Sequence, residues 1–471
     1  MRRDRFHYTR LAAPVAGGLI ALAAGQACGA GFALQEQSGS GLGNAFAGGA
    51  ASAQDASTIY TNPAGMSRLP GTQAAVAGSL ICLSAKFSDN GSQQAALQPL
   101  GTDGGDAGDC AVVPALYLAV PINRQWAFGL GVNVPFGLKT EYDSDWIGRF
   151  QAVKSEVKTV NVNPAVSFRL SDRVSIAAGV DWQHISATLT SKVNYAGAFA
   201  QGVQAGVLAG QIPAAIVPTL VGAAAGLEST ADVSGNDSAW GWNIGALFDV
   251  DPQTRIGFQY RSKIKYDVGG SVNFGNPALG PLPPPLAPVG AAVANGVNAV
   301  LASGGVHLGL EVPDSANLSL FRQIDSRWDV MADAQFTGWS SVHELRVVRS
   351  TGALLSLTPE NFRDTWRGSV GVNYHYSPLW TFRAGLAYDQ SPVRDAQRTP
   401  RLPDNDRTWI AVGAQYRFSP QLVVDAGYTY IFVRDPSINQ NEGSTAQNAL
   451  IKGTYGNNVN IGALQLTYTF N

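Results

Sequence analysis

The feature that most limits what this chain can become is an alternation of period two, repeated many times and cut by short polar turns. In the last segment Leu464, Leu466, Tyr468 and Phe470 alternate with Ala463, Gln465, Thr467 and Thr469. Around 328–337, Trp328, Val330, Ala332, Ala334 and Phe336 alternate with Asp329, Asp333, Gln335 and Thr337. Around 366–376, Trp366, Val370, Val372, Tyr374 and Tyr376 alternate with Arg367, Ser369, Asn373 and His375. Successive side chains of a strand point to opposite faces, so each run has one aromatic-rich apolar face and one face of carboxylates, amides and guanidinium groups. A soluble sandwich would have to bury one of these faces and expose the other to water. A wall with lipid outside and polar groups inside accommodates both.

Composition agrees. Charged residues are 14% of the chain, against about 25% in ordinary soluble domains. Hydrophobic residues at 45% and aromatics at 9% argue against disorder. The balance of 32 basic and 34 acidic residues gives no reason to expect a nucleic-acid partner. A helical membrane protein needs uninterrupted apolar stretches of about 20 residues; the one internal candidate, within 195–228, is broken by Pro213 and Pro218.

Six short turns recur: Pro121–Arg124, Leu170–Arg173, Asp249–Gln253, Gln323–Ser326, Tyr376–Pro378 and Phe418–Pro420. Seven long links lie near 88–110, 139–153, 193–236, 270–308, 349–363, 390–406 and 434–458. Thirteen connections make fourteen strands, the first near 72–87. An even number puts both ends on one side, with the short turns, and backbone in lipid forces the sheet to close. The expected fold is all-β, a transmembrane 14-stranded antiparallel β-barrel over 72–471, acting as a monomer.

The N-terminus sets the compartment. Arg2, Arg3, Arg5 and Arg10 precede an apolar run from Leu11 to Ala24 and then small residues to Ala30, the layout of a secretory signal peptide. Residues 1–30 are read as the leader, cleaved after Gly29 or Ala30. Export plus a barrel implies the bacterial outer membrane, with its lipid and lipopolysaccharide as surroundings. Cys82 and Cys110 remain in the mature chain; a bonded pair and two separate thiols both stay open.

Gly31–Gly71 is rich in Gly, Ala and Ser, too weakly periodic for strand, yet carries Phe32, Leu34, Leu42, Phe46, Ile59, Tyr60 and Met66. It is read as a hatch folded in the lumen. Strand three runs from Trp126 to Val134 into Pro135-Phe136-Gly137. Proline lacks the ladder donor and glycine allows a bend, so Val134, Pro135, Phe136 and Gly137 mark either a lateral opening in the wall or the place where the strand leaves the membrane. The links 195–228 and 277–305 are almost free of charge; exposed apolar loops need an explanation, either a greasy groove for solute or packing of loop on loop.

Catalytic patterns are absent. His343-Glu344 has Val347 where a second zinc-binding histidine would stand, there is no G-x-S-x-G elbow and no C-x-x-C, and the glycines at 39, 41 and 43 have no preceding strand. No enzyme, metal or cofactor is expected.

Gly31-Phe-Ala-Leu34, Ser38-Gly-Ser-Gly-Leu-Gly43, Asp55-Ala56 and Asn62-Pro63-Ala64 closely resemble the mature N-terminus of the long-chain fatty acid outer-membrane transporters, the FadL family, which includes toluene-type hydrocarbon transporters. Phe136–Tyr142, Gly338-Trp-Ser340, Trp380–Gly385, Tyr388–Val393 and Pro403–Trp409 extend the resemblance over the mature chain. It implies a hatch containing Gly31, Phe32, Asn62, Pro63 and Ala64, and a kink at Val134–Gly137 that opens the wall. It also implies capture of solute between two long loops, then a lumenal site near Phe32 and Phe136. Relatives that carry fatty acids use basic side chains for the carboxylate. Arg346 resembles one of these, while strand five offers only His184, a departure that keeps neutral hydrocarbons open as cargo. A second departure is Asn471 after Phe470, since such barrels usually end on the aromatic. The expected function is passive uptake of hydrophobic small molecules, long-chain fatty acids first and neutral hydrocarbons second. A general porin or surface adhesin is the alternative from another class.

Overall fold

The computed structural model describes residues 30–441 and 449–470; the leader, apart from Ala30, and Asn471 lie outside the described residues. The strands are β1 (Gln73–Asp89), β2 (Cys110–Pro121), β3 (Trp126–Asn133 and Gly137–Glu141), β4 (Lys154–Arg169), β5 (Val174–Val193), β6 (Ser229–Asp249) and β7 (Thr254–Arg261 and Ile264–Gly275). They continue with β8 (Gly304–Val312 and Ser315–Gln323), β9 (Trp328–Thr337 and Glu344–Arg349), β10 (Leu354–Pro359 and Thr365–His375), β11 (Trp380–Asp389), β12 (Arg407–Arg417), β13 (Leu422–Val433) and β14 (Ile451–Thr469). Each is antiparallel to the next, and β14 pairs with both β13 and β1 (Leu422↔Tyr468, Gln73↔Thr469), so the fourteen strands form a closed ring.

The two faces sort as the alternation demands. Trp366, Val370, Leu386, Tyr388 and Leu464 stand exposed on the outer wall, while Asp181, Arg367, Arg383 and Asp425 are buried in the bore. All six short turns join the strands expected of them. The link expected over 349–363 is strand in part: Glu344–Arg349 and Leu354–Pro359 pair across a tight turn, with Arg349 N donating to Ala353 O at 2.8 Å. A strand that projects beyond the lipid no longer needs an apolar face, so its sequence lacks the alternation. Cys82 and Cys110 are directly opposite residues of β1 and β2 and are disulfide-bonded.

The two apolar links fold into helices, Tyr195–Leu208 and Val217–Gly222 in one, Ala287–Val300 in the other. Tyr195, Phe199 and Val203 recur every fourth residue and are fully buried, a helical stripe. They form one cluster with Leu220, Ala224 and Val297, so the loops pack on each other. Among the described residues no helix is long and apolar enough to cross a membrane.

Residues 30–72 lie against the inward faces of the strands. Single-turn helices at Gly39–Leu42, Gly49–Ser52 and Thr58–Thr61 lead to a 3-10 helix at Pro63–Arg68. Their backbone is held by the wall: Gly39 N donates to Gln465 Oε1 at 3.0 Å, Ala50 N to Ser319 Oγ at 3.0 Å, and Arg367 Nη2 to Ala45 O at 2.7 Å. The approach is close enough that a Cβ on Gly257 would sit 1.9 Å from Ala50 O. Asn62 caps the 3-10 helix by accepting from Ala64 N at 3.0 Å, and its amide reaches Ala50 O at 2.7 Å and Ala246 O at 2.9 Å. Pro63 occupies the first helical turn, where a missing N–H costs nothing.

Candidate functional site: a stoppered wall opening beside an apolar chamber

β3 breaks where the sequence places proline. Its pairing with β2 ends at Leu116↔Val132, although β2 continues to Cys110 along β1. On the other side the register passes from Asn133↔Asn161 to Gly137↔Lys158. Three residues of β3 therefore face two of β4, a bulge. Thr159 fastens it: Phe136 N donates to Thr159 Oγ1 at 3.0 Å, and Thr159 Oγ1 donates to Phe136 O at 2.7 Å. Among the described residues no strand pairs with the β2 side of this stretch, which leaves a gap in the ladder.

Residues 32–37 fill that gap from inside. Gly137 N donates to Phe32 O at 2.9 Å and Leu34 N to Pro135 O at 2.8 Å. The Gln37 carboxamide serves Val134 at both ends, Nε2 donating to Val134 O at 2.7 Å and Oε1 accepting from Val134 N at 3.3 Å. Behind them Ala30 N donates to Asp389 Oδ2 at 3.1 Å and Gly31 N to Asp404 Oδ2 at 2.9 Å, with Asp404 held by Arg407 at 2.7 Å. Gly31 has φ +68°, and a Cβ there would lie 2.8 Å from the Trp339 ring, so glycine is required twice over.

Glu36 is the anomaly in this segment. Its carboxylate is buried and neither oxygen has a hydrogen-bond partner among the described residues. Burial pushes its pKa up to about 7, against the pull of its own backbone N–H and of Arg407 and Arg367; Asp389 adds to the rise.

Above the stopper lies an apolar chamber that is filled by its own side chains. Phe32 sits between Phe136 (ring centroids 5.8 Å apart) and Trp339 (4.8 Å), and Trp339 also meets Phe362 at 6.0 Å. Trp339 reaches the bore because β9 is interrupted between Thr337 and Glu344 and a short 3-10 turn folds inward. The other walls include Leu138, Ile185, Val268 and Leu308. The floor is polar: Asp181 takes Arg261 and the amides of Asn161 (2.8 Å) and Asn243 (2.7 Å). A small cavity of about 20 Å³ is lined by Leu189, Val233, Val268, Val306, Leu308 and Val347, among others.

The structure thus brings together Gly31, Phe32, Val134, Pro135, Phe136 and Gly137. Asn62, Pro63 and Ala64 lie lower, at the opposite end of the N-terminal segment. Arg346 and His184 are not brought to the chamber. Arg346 neighbours the inward Val347, so it points to the outer side, paired with Glu344 at 2.6 Å. His184 follows the inward Gln183 and shares the outer face with Trp182, its Nδ1 2.9 Å from Ser238 Oγ. Trp339, Gln37 and Glu36 were not expected as site residues from the sequence; Trp339 entered only within the Gly338-Trp-Ser340 resemblance.

A barrel with a lumenal segment that stops a wall break invites comparison with known proteins. Residues 20–470 match the family model described as outer membrane protein transport protein (OMPP1/FadL/TodX). The chain belongs to this family. The long-chain fatty acid transport protein of Escherichia coli O6:H1 is 29% identical over 461 residues, covering 96% of this chain and 98% of the relative. Outer membrane protein P1 of Haemophilus influenzae is 30% identical over 476 residues, covering 95% and 97%. Among solved structures a Pseudomonas aeruginosa FadL homologue superimposes with TM-score 0.82 at 28% identity, covering 94% of this chain and all of that one. The Ralstonia pickettii toluene transporter TbuX, at TM-score 0.62, 20% identity and 93% of this chain, shares the fold. As a member of the OMPP1/FadL/TodX family the chain is an outer-membrane transporter of hydrophobic substrates and not an enzyme.

Proposed function

We propose that this protein takes up long-chain fatty acids by capture on the apolar loop helices, passage to the chamber beside Phe32 and Trp339, and lateral exit between β2 and β3. The carrying observation is that residues 32–37 hydrogen-bond to Val134, Pro135 and Gly137 in place of a neighbouring strand, so the wall opens when this segment leaves. The curated relatives named for fatty acid transport support the cargo. Moving an acyl chain into an apolar site gains about 0.8 kcal/mol per buried CH₂, so concentration and burial drive uptake without an energy source. The N-terminal segment acts as the hatch, and a self-closed ring needs no second copy. A second reading, neutral aromatic or aliphatic hydrocarbons, is favoured by the outward aim of Arg346 and His184, which leaves the aromatic end of the chamber without a cation from either.

Uptake by cells carrying Pro135→Ala with Gly137→Ala tests the exit route, since both substitutions favour a continuous β3. Transport should fall severalfold for oleate and for a neutral alkane alike. Uptake at the wild-type rate would overturn lateral exit. Steady ion conduction in single-channel recordings would instead favour a general porin.

A further inference from the structure

On the outer wall Tyr388 and Phe432 stand level across β11, β12 and β13, joined by the register Tyr388↔Thr408↔Phe432, and Trp366 lies nearby on β10. They are 49%, 51% and 57% exposed, as aromatics at a membrane interface are. Immediately above them, on the side of the long links, is an open cavity of about 470 Å³ lined by Arg363, Arg394, Asp395, Asp406 and Arg434 among others. Tyr388 ties the cavity to the belt, its hydroxyl donating to Asp406 Oδ2 at 2.9 Å.

The two carboxylates are already engaged. Asp406 accepts from Arg363 at 3.3 Å and Ser391 N at 2.9 Å as well as from Tyr388, and Asp395 takes Arg398 at 2.7 Å. Two guanidinium groups are not. Arg394 spends only Nε, on Asn361 O at 2.9 Å, and the Arg434 side chain has no partner among the described residues, its backbone N–H alone bonding Asp406 O. Arginines at this height, with free forked donors and aromatics beneath them, suit a phosphate carried on acyl chains.

We propose that Arg394 and Arg434, with Arg363 behind them, bind a phosphate of the outer leaflet's phosphorylated glycolipid, the lipid A moiety of lipopolysaccharide, whose acyl chains then lie along Trp366, Tyr388 and Phe432. The site is on the outer wall and independent of what passes through the bore.

Binding to the purified full-length mature protein in detergent, read by native mass spectrometry, tests this with three probes: bisphosphorylated lipid A, the same lipid after phosphatase treatment, and inorganic phosphate. Lipid A should bind wild type and weaken about tenfold in Arg394→Gln/Arg434→Gln, the loss expected from one charge-assisted contact. Dephosphorylated lipid should bind both proteins equally weakly, and inorganic phosphate should not compete. Equal lipid A binding by the double variant, with heat-modifiable gel mobility showing it folded, would overturn the site. So would indifference to the phosphates, and competition by inorganic phosphate would overturn the lipid assignment. If the double variant does not fold, Arg434→Gln alone carries the same comparison.

Discussion

Gln37 holds Val134 at both of its backbone polar groups, at 2.7 and 3.3 Å. A side chain is doing there what the adjacent strand does elsewhere in the ring. Gln37→Ala leaves a buried N–H and C=O of Val134 without partners, a cost of about 1–3 kcal/mol. Amide exchange at Leu34 and Gly137 should speed up about tenfold or more, and ion leak through the barrel should rise. Unchanged exchange would mean the carboxamide is not what closes the gap.

The buried Glu36 carboxyl makes docking of this segment depend on pH. Its pKa when docked, about 7, lies above the ordinary carboxyl value of 4.5. A raised pKa means the proton is held in the docked state, so docking is unpenalised below pH 4.5, weakens as pH rises toward 7, and is level above it. The full penalty approaches about 3 kcal/mol. At residues 30–37 the protection factor, the intrinsic exchange rate divided by the observed rate at the same pH, should therefore be larger at pH 5 than at pH 8, and Glu36→Gln should remove the difference.

On the proposed route an apolar ligand takes the space that Phe32 fills between Phe136 and Trp339. Phe32→Ala removes that occupant and should tighten binding of an acyl chain about tenfold, within the roughly 1.5–3 kcal/mol of one buried aromatic. Trp339→Ala removes wall instead and should weaken binding. Titration of a fluorescent fatty acid distinguishes them; changes of the same sign in both would place the ligand elsewhere.

Arg346 and His184 face away from the chamber, so Arg346→Ala and His184→Ala should leave oleate affinity within twofold of wild type. A selective loss for oleate over a neutral alkane in Arg346→Ala would restore this side chain as a carboxylate partner.

The barrel itself was legible in the sequence because lipid imposes parity on every strand. Leu464 to Phe470 and Trp328 to Phe336 each declare a face, and the turn at Phe418–Pro420 declares a reversal. Pro135 likewise announces a broken ladder through its missing donor. The site was less legible for the same physical reason. The interruption between Thr337 and Glu344 resets the phase, so nothing upstream tells that Val347 points in and Arg346 out. His184 was readable from Asp181 and Gln183, which fix its parity outward. The roles of Gln37 and Trp339 depend on contacts far along the chain, Gln37 with Val134, 97 residues on, and Trp339 with Phe32 at the other end of the sequence, and no local pattern encodes that.

The aromatic ring of Phe32 and the peptide that seals the wall belong to one short stretch of chain. On the uptake route proposed above, cargo that takes the place of the ring also pulls on the seal, so arrival itself would serve as the key.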